Sequence, residues 1–342
     1  LTAFSNEEKY LNTLISLSIV KAREYYDSRP TDSEVIEYLL DYISETGYTV
    51  DTGIFTLFPF YNNRSIMQVL WDVAKSCGGF LFTDRLGKFV YRNSTYFIGN
   101  TPIDLFDRTT FSLIEMLYPD FNLAKRVTVT GDTITVDAST ELFNAGNTYT
   151  IPPNETLEIE VELSDPVYEL LSITYDANSY SGTDISADIS YTSVDNADNL
   201  VLTFTSVNSG YCVISNLVVT GRPLNFTSFK VVKNSLESFW SDRSNSDLIT
   251  NIRGTFLSDE GVANAIAELI LNSQQLPSAS FKIRDFIYDG PLELLDMITI
   301  FDNKITSAAL DIIITKLEYG YSAESGIRLN LEGIETTNLY PY

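Results

Sequence analysis

Histidine is absent from all 342 residues of the chain, and this absence excludes more chemistry than any other feature of the sequence. Without an imidazole the chain cannot form Ser-His-Asp or Cys-His catalytic groups, and it lacks the HExxH motif of zinc hydrolases. Only two cysteines occur, Cys77 and Cys212, and they stand too far apart in sequence for a zinc site. Both are predicted to be small buried apolar residues. We therefore expect no catalytic residues and no cofactor.

Positively charged residues are scarce as well. Lysine and arginine total 22 against 46 aspartates and glutamates, which gives a formal net charge of −24. A surface that binds nucleic acid through phosphate contacts needs the opposite sign, so we do not expect the chain to bind DNA directly. The charge fits a wall past which DNA slides without adhering, and it fits equally an acidic surface that keeps the protein in solution.

Long apolar runs are missing too. The longest runs are a few residues each, whereas a helix that spans a bilayer needs roughly 20 apolar residues. No basic segment followed by an apolar stretch opens the chain, so no signal peptide is predicted. We therefore expect no membrane-spanning segment.

The start of the chain has a weak pattern. Residues 1–30 carry apolar side chains between Leu11 and Val20, compatible with a helix or with short strands, and Pro30 ends the pattern. The chain begins at Leu1 rather than at methionine, as expected of a fragment without its natural N-terminus. Residues 1–30 are therefore assigned to an N-terminal segment from a preceding domain.

Two helix starts can be located in the next stretch. Thr31-Asp-Ser-Glu34 is a capping box, and the apolar spacing after it predicts a helix over 32–45 that is closed by Gly47. Ser65-Ile-Met-Gln68 is a second capping box, and it predicts a helix that stops at Gly78-Gly79.

A hairpin follows the second helix. The apolar runs 80–83 and 88–91 flank Asp84-Arg-Leu-Gly87, a four-residue turn with glycine where a positive φ is needed. Two helices and a hairpin make residues 31–110 a small α+β domain.

The middle of the chain is predicted to be a β-sandwich over 140–222. Short alternating segments recur there with turn residues about every eight to twelve positions, and no long helical pattern interrupts them. The segments are 149–151, 157–161, 171–175, 189–191, 200–204, 212–214 and 217–220.

The flanking regions mix strands with one helix. A strand over 126–131 is predicted to end at Gly131, and Ser258-Asp-Glu-Gly261 begins a helix over 258–272. Alternating strands are then predicted at 280–284, 297–300, 312–318 and 327–331.

Three passages together resemble the hub proteins of bacteriophage tails and related contractile machines. The first is the helix and hairpin Ser65–Arg92, with its D-x-x-G-K turn. The second is Asn245–Leu257, which runs into the helix 258–272 and a loop that ends at Pro277. The third is Pro291–Ile300, followed by a strand over 312–319. The resemblance covers 31–135 and 225–335, and it rests on the order in which the three passages follow one another along the chain.

The resemblance implies an α+β, predominantly β fold with three parts. A hub-type β-barrel domain would comprise 111–139 and 223–342, with the strands of 111–131 paired to those after residue 280 and with the helix 258–272. Residues 31–110 would be a small αβ helix–hairpin domain, and 140–222 an inserted β-sandwich. The chain opens with no clear first hub barrel, so the resemblance does not assign the ring-forming surface.

The implied function is structural, without catalysis. The resemblance implies an oligomeric ring, commonly a homotrimer, that links a tail tube to a spike or receptor-binding protein. DNA would be only passing cargo through the channel, and the place of action would be a virion tail assembled in the host cytoplasm.

Acidic side chains supply the only candidate metal ligands. Asp184, Asp188, Asp195 and Asp198 lie around loops of the predicted sandwich, and calcium prefers oxygen ligands of this kind. No EF-hand spacing is present, and an ordinary solvated loop explains the same residues. Glu158, Glu160 and Glu162 alternate along one strand and are predicted to form an exposed acidic face rather than a catalytic carboxylate pair.

Two other functions remain open from the sequence. Tyr175, Tyr180 and Tyr191 could stack on sugar rings, so a carbohydrate-binding or adhesin-type protein that acts through 140–222 is the main alternative. The same tyrosines also suit half-buried strand positions. A hydrolase that uses carboxylates alone is the third possibility.

Overall fold

The computed structural model describes residues 13–96, 101–107, 109–117, 124–235, 249–274, 279–286, 290–302, 308–322 and 326–336. Strands dominate these residues and helices are few, which confirms the prediction of a predominantly β protein. None of the described helices has the length and apolar character required to span a bilayer. Leu11, Asn245 and Pro277, which the sequence interpretation used, lie outside the described residues.

The elements follow one another in four groups. The first group is β1 Leu14–Ile15, α1 Ile19–Ser28, α2 Asp32–Tyr42, β2 Thr49–Val50, β3 Arg64–Ser65, α3 Ile66–Ser76, β4 Phe80–Thr83 and β5 Phe89–Arg92. The second is β6 Leu105–Phe106, β7 Leu113–Leu117 and β8 Arg126–Val136. The third is β9 Thr140–Asn144, β10 Tyr149–Ile151, β11 Thr156–Glu162, β12 Val167–Ser179, β13 Ile189–Asp195, β14 Asn199–Ser206 and β15 Cys212–Asn234. The last is β16 Ile249–Arg253, α4 Glu260–Gln274, β17 Ser280–Phe286, β18 Met297–Ile300, β19 Leu310–Ser322 and β20 Gly326–Glu335.

The predicted capping box of α2 is confirmed. The Thr31 hydroxyl accepts a hydrogen bond from the Glu34 backbone N–H, and the Glu34 carboxylate accepts one from the Thr31 N–H. Because this box satisfies backbone donors that the first turn leaves free, it fixes where the helix begins. The helix ends at Tyr42 with Ile43 as its C-cap, so the predicted cap at Gly47 was wrong.

Helix α3 and the hairpin after it also follow the prediction. The helix begins at Ile66, but Ser65 makes no side-chain capping bond, so the second capping box is not formed. The β4–β5 turn closes through the Asp84 N–H and the Lys88 carbonyl, and Gly87 has a φ of +78°. Glycine adopts this conformation without the steric cost that a Cβ adds.

We call the first body of the molecule the base: residues 13–96 with β8, β16 and α4. The buried faces of α1, α2, α3 and α4 share one apolar core with β5 and β8. Asp32 is buried in this core, and its carboxylate accepts hydrogen bonds from the backbone N–H groups of Ile54 and Phe55 and from the Tyr91 hydroxyl. A buried carboxylate needs such partners, and here it fixes the loop between β2 and β3.

The sandwich is the second body, formed by β9–β14 and the first half of β15. One sheet contains β15 with β12 on one side and β9 and β10 on the other, and the second sheet has the order β11–β14–β13. The two sheets enclose a separate core, to which the base contributes Ile19. All seven predicted strand segments are strands in the structure.

One strand crosses the predicted end of the sandwich at residue 222. Cys212–Asn234 is continuous: it pairs with β12 up to Pro223 and then with β8 from Leu224 to Asn234. The predicted segments 212–214 and 217–220 are therefore parts of one strand. Strand β15 therefore links the two bodies: its first half lies in the sandwich and its second half pairs with β8 of the base.

Strand β8 is longer than predicted. It runs through Gly131 to Val136, so the predicted end at Gly131 was wrong. A Cβ at position 131 would lie 2.5 Å from the Leu257 carbonyl oxygen and 2.6 Å from the Phe229 ring. Glycine here allows other segments of the same chain to approach the β8 backbone closely, and it does not end the strand.

The half-barrel is the third body, one curled sheet with the order β6–β18–β19–β20–β17–β7. Its core includes Phe106, Phe281, Ile298 and Ile314. The predicted pairing of the 111–131 strands with those after residue 280 holds for β7, which pairs with β17, but not for β8, which pairs with β15 and β16. Helix α4, predicted as part of the barrel, contributes Ala263, Ile266 and Leu271 to the core of the base instead.

Candidate functional site

An apolar patch lies along one edge of the half-barrel. Ile103, Leu105 and Phe301 are 50%, 59% and 39% exposed. The Ile103 N–H donates to the Met297 carbonyl and the Phe301 N–H to the Phe106 carbonyl, both at 2.9 Å, so the backbone holds the three residues beside the β6–β18 pair. We call these three residues the apolar edge. An exposed apolar cluster at a sheet edge is typical of a protein–protein contact.

The opposite edge of the same sheet is β7. Its register with β17 pairs Leu113 with Arg284, and the Leu113 side chain is exposed. Beside it the Asp285 carboxylate accepts hydrogen bonds from Arg328 at 2.7 Å and from the Ser112 hydroxyl at 2.8 Å, and these lower the pKa of Asp285. Within the described residues β6 pairs only with β18, and β7 only with β17. In the part of the chain that the structure describes, the two ends of the sheet are therefore not joined to each other.

The polar face of the half-barrel carries a row of alternating charges. Glu115, Lys282, Glu332 and Lys316 occupy paired positions on β7, β17, β20 and β19. The Lys282–Glu332 and Lys316–Glu332 distances are 3.7 and 3.8 Å, and Glu318 lies 2.6 Å from Lys316. The row alternates in sign although the chain as a whole is strongly acidic.

A cleft separates the half-barrel from the base. It has a volume of about 520 Å³ and lies between Trp71 and the 78–82 segment on one side and Leu294, Leu295 and Thr315 on the other. The Arg85 guanidinium reaches across to Glu293 at 3.3 Å. The cleft is lined mainly by apolar side chains and glycines, without a group of acids or nucleophiles.

The four candidate calcium ligands do not converge. Asp184 and Asp188 precede β13 and Asp195 ends it, and a strand of this length spans roughly 20 Å. The Asp184 carboxylate accepts from the Ser186 N–H, and Asp188 accepts from the Asn208 amide. No group of three or more potential metal ligands is present in the described part of the chain. Calcium binding by these residues stays a prediction.

Asp195 and Asp198 lie where the sandwich contacts the base. The turn between β13 and β14 is held to the base by a 2.8 Å hydrogen bond from the Ala197 N–H to the Leu17 carbonyl. One carboxylate oxygen of each aspartate is buried there without a hydrogen-bond partner. Loss of solvation raises the pKa of Asp198, and a hydrogen bond with Asn62 opposes that shift.

The glutamates of β11 are exposed, as predicted. Glu158, Glu160 and Glu162 alternate with the buried residues Ile159 and Val161, so their carboxylates share the outer face. They form an acidic surface and no enclosed pair of carboxylates.

The predicted tyrosines separate into two groups. The Tyr175 and Tyr191 rings pack against Phe204, with centroids 5.0 and 5.8 Å from it. Tyr180 is 85% exposed just after the end of β12, and Tyr211 is 56% exposed just before β15 begins, next to the last registered pair Ser179 and Cys212. The sequence interpretation did not identify Tyr211 or the apolar edge, although Ile103-Asp-Leu-Phe106 carries a short alternation that could have indicated the edge.

Both cysteines are buried, as predicted, and neither forms a disulfide. Cys77 lies in the core of the base, where burial raises the pKa of its thiol, and Cys212 lies in the core of the sandwich. A thiol without access to solvent and with a raised pKa is unreactive at neutral pH.

No protein-family model and no curated protein matches the chain. Among solved structures it is similar to a tail protein from Neisseria meningitidis MC58, at 10% identity and a TM-score of 0.48 over 97% of this chain and 74% of that one. It is similar to a chain of the native gene transfer agent virion, at 10% identity and 0.47 over 91% of this chain and 48% of that one. A third is the 43 kDa tail protein of prophage MuSo2 from Shewanella oneidensis, at 8% identity and 0.44 over 89% and 65%. The chain thus spans about half to three quarters of these proteins.

Proposed function

We propose that the chain is a structural subunit of a phage-type tail, located at the hub or tip, that assembles through its half-barrel into a ring. The observation that carries the proposal is the unjoined sheet, with the apolar edge at one end and β7 at the other. The ring would be a homotrimer that links the tail tube to a spike or receptor-binding protein. It has no catalytic function.

A contact between the apolar edge of one subunit and the β7 end of the next would account for both the exposed apolar side chains and the open side of β7. If the apolar edge of one copy meets the β7 end of the next, the contact is head-to-tail, and such contacts close into rings when the rotation permits. Covering Ile103, Leu105 and Phe301 would contribute about 1–2 kcal/mol per side chain. Strand pairing at β7 would satisfy the backbone groups that face away from β17.

Charge supports a channel through which DNA passes without adhering. The net charge of −24 disfavours contacts with phosphates, and the cations of the polar face already lie beside glutamates. Because like-charged subunits repel, assembly should strengthen as salt screens that repulsion. The proposed location is the virion tail, assembled in the host cytoplasm.

The test replaces Leu105 by glutamate and measures mass by analytical ultracentrifugation over a range of concentrations at low and high salt. The wild-type protein is expected to reach three times the 38.4 kDa mass of one chain, and Leu105→Glu is expected to stay monomeric. Leu171→Glu is the matched control, since Leu171 is 50% exposed but lies on the sandwich. A wild-type protein that is monomeric throughout, or a Leu105→Glu variant that assembles like the control, contradicts the proposal.

A carbohydrate-binding function of the sandwich is the second candidate. The observation that favours it is that Tyr180 and Tyr211 are both exposed and each lies one residue beyond the last registered pair of β12 and β15, Ser179 and Cys212, because aromatic faces can stack on sugar rings. Asp188 and Asn208 lie near the end of the second sheet and could hydrogen-bond hydroxyl groups.

A glycan array distinguishes this candidate from the first. If it is right, the wild-type protein binds defined glycans, and Tyr180→Ala and Tyr211→Ala each lose that binding, whereas Tyr319→Ala on the half-barrel does not. Absence of glycan binding, or equal loss in all three variants, leaves only the assembly function.

A further inference from the structure

The second sheet of the sandwich has two edge strands with opposite chemistry. The β11 edge carries Glu158, Glu160 and Glu162, all exposed. The β13 edge, Ile189–Asp195, carries no charge in its first six residues, and residues 190–194 are all exposed. Charged side chains on an edge strand discourage pairing with another chain, so one edge is protected and the other is not.

Most of the other described edge strands of five residues or more carry a charge inside the strand. The charges are Glu115 on β7, Glu141 on β9, and Glu169 and Asp176 on β12. Strand β16 has its only charge at its last residue, Arg253, just as β13 has its only charge at Asp195. Of these two described edge strands without an internal charge, β13 is the longer, with 7 residues against 5.

The outer side of β13 is open in the described part of the chain. The strand pairs with β14 along its whole length, from Ile189 opposite Ser206 to Asp195 opposite Leu200, and with no other described strand. Val194 is 63% exposed beside this free side. An extended segment could therefore add to the sheet along the full strand, with main-chain hydrogen bonds supplying the affinity.

Charge at the two ends selects the partner. Asp184 and Asp188 precede the strand and Asp195 ends it, and hydrogen bonds from Ser186 lower the pKa of Asp184, so that its carboxylate stays ionised. A second copy paired antiparallel about Thr192 would place Asp195 next to Asp188 of its neighbour at both ends. This repulsion disfavours a second copy and favours lysine or arginine at both ends of the added segment.

We propose that β13 is a docking edge for an extended segment of another protein, uncharged where it pairs and basic at both ends. The segment becomes a fourth strand of the β11–β14–β13 sheet. This inference does not depend on the tail function, because β13 belongs to a sheet of the sandwich and not to the sheet of the half-barrel.

The test uses two synthetic peptides with the same alternating Thr-Val core, one flanked by lysine pairs and one by glutamate pairs. Fluorescence anisotropy is expected to show the lysine-flanked peptide binding the full chain at least about tenfold more tightly than the glutamate-flanked one. Val194→Lys is expected to weaken that binding at least about tenfold by placing a cation at the edge. Leu171→Lys adds the same charge at an exposed site of the other sheet and should leave binding unchanged.

Amide hydrogen exchange locates the bound peptide. Slower exchange in 189–195, with 156–162 unchanged, is the expected result, because only the β13 edge gains hydrogen bonds. Equal slowing at both edges, equal loss in Val194→Lys and Leu171→Lys, or no binding of the lysine-flanked peptide overturns the proposal. Concentration-dependent dimers of the peptide-free protein that Val194→Lys abolishes would assign the edge to a second copy and would overturn it too.

Discussion

The sandwich and the half-barrel cover their apolar faces in different ways. In the sandwich two sheets face each other, and residues such as Val161, Leu202 and Ile214 fill the space between them. The half-barrel has a single sheet that curls around Phe281, Ile298 and their neighbours. Two facing sheets bury each other's inner faces, whereas a curled sheet closes into a barrel only when its two end strands pair with each other.

The position of exposed apolar residues reflects this difference. On the half-barrel, Ile103, Leu105 and Phe301 gather at one unpaired end of the sheet. On the sandwich, exposed apolar residues such as Leu171, Tyr180 and Val194 are spread over different parts of the body, outside a core that its two sheets enclose. In the proposed assembly a neighbouring subunit would cover this end of the half-barrel, whereas the core of the sandwich is enclosed by its own two sheets.

Paired core truncations test whether these are two separate structural units. Phe204 in the sandwich and Phe281 in the half-barrel are both fully buried. Phe204→Ala and Phe281→Ala should each cost about 3–5 kcal/mol, from lost burial and the cavity that remains. Amide exchange should rise in β11, β13 and β14 for the first variant and in β17–β20 for the second.

The control is the cross-comparison of the two variants. Each leaves the other body untouched, so exchange in the unaffected body should match the wild-type protein. If Phe204→Ala also increased amide exchange in β17–β20 to the same extent, the sandwich and the half-barrel would form one cooperative unit and would not be separate structural units.

Local patterns in the sequence predicted elements better than their partners. The alternation over 297–300 matches β18, and the capping box at Thr31 fixes the start of α2, because both depend on neighbouring residues. The continuity of β15 across residue 222 was missed because its second half is defined by pairing with β8, about 90 to 110 residues earlier in the chain. Local alternation does not reveal which sheet a strand joins.

The candidate surfaces were less predictable for the same reason. The exposed face of Glu158, Glu160 and Glu162 follows from alternation within one strand and was predicted. The apolar edge and the free side of β13 depend on which strands end up last in their sheets, and this is a property of topology. The four aspartates near residues 184–198 are close in sequence, but β13 holds them at opposite ends of a strand.

Tyr168 tests how firmly the sandwich is attached to the base. Its hydroxyl donates to Asp27 at 3.0 Å, its ring contacts Tyr26, and Arg222 lies over the same ring. Tyr168→Ala should weaken the attachment by about 1–2 kcal/mol while both cores stay folded. Faster amide exchange confined to residues 16–18 and 195–199 is the expected result, and Tyr319→Ala serves as the control. Faster exchange throughout the sandwich would show instead that the contact holds the sandwich core together.

Asp198 should make this attachment dependent on pH. Its pKa in the folded protein is raised above the ordinary value of 3.8, so the folded state binds the proton more tightly than the unfolded state. The resulting stability is present below pH 3.8 and is lost as pH rises through the raised pKa. Asp198→Asn removes the ionised form and should raise the melting temperature at neutral pH by about 2 °C, with a smaller effect in acid. Asp165→Asn, at an exposed site nearby, is the control, and an equal change in that variant would mean that only net charge matters.

The charge row of the half-barrel should contribute least to the stability of the protein. Lys316 is exposed, and its ion pairs with Glu318 and Glu332 lie in solvent, where exchange with water and salt offsets most of the attraction. Lys316→Ala should lower the melting temperature by about 1 °C or less in dilute salt and leave it unchanged at high salt. A loss of several degrees that persists at high salt would mean that the polar face holds the curled sheet in shape. The unjoined half-barrel would then be stabilised from within, and its exposed apolar edge would no longer be explained by the need for a neighbouring subunit.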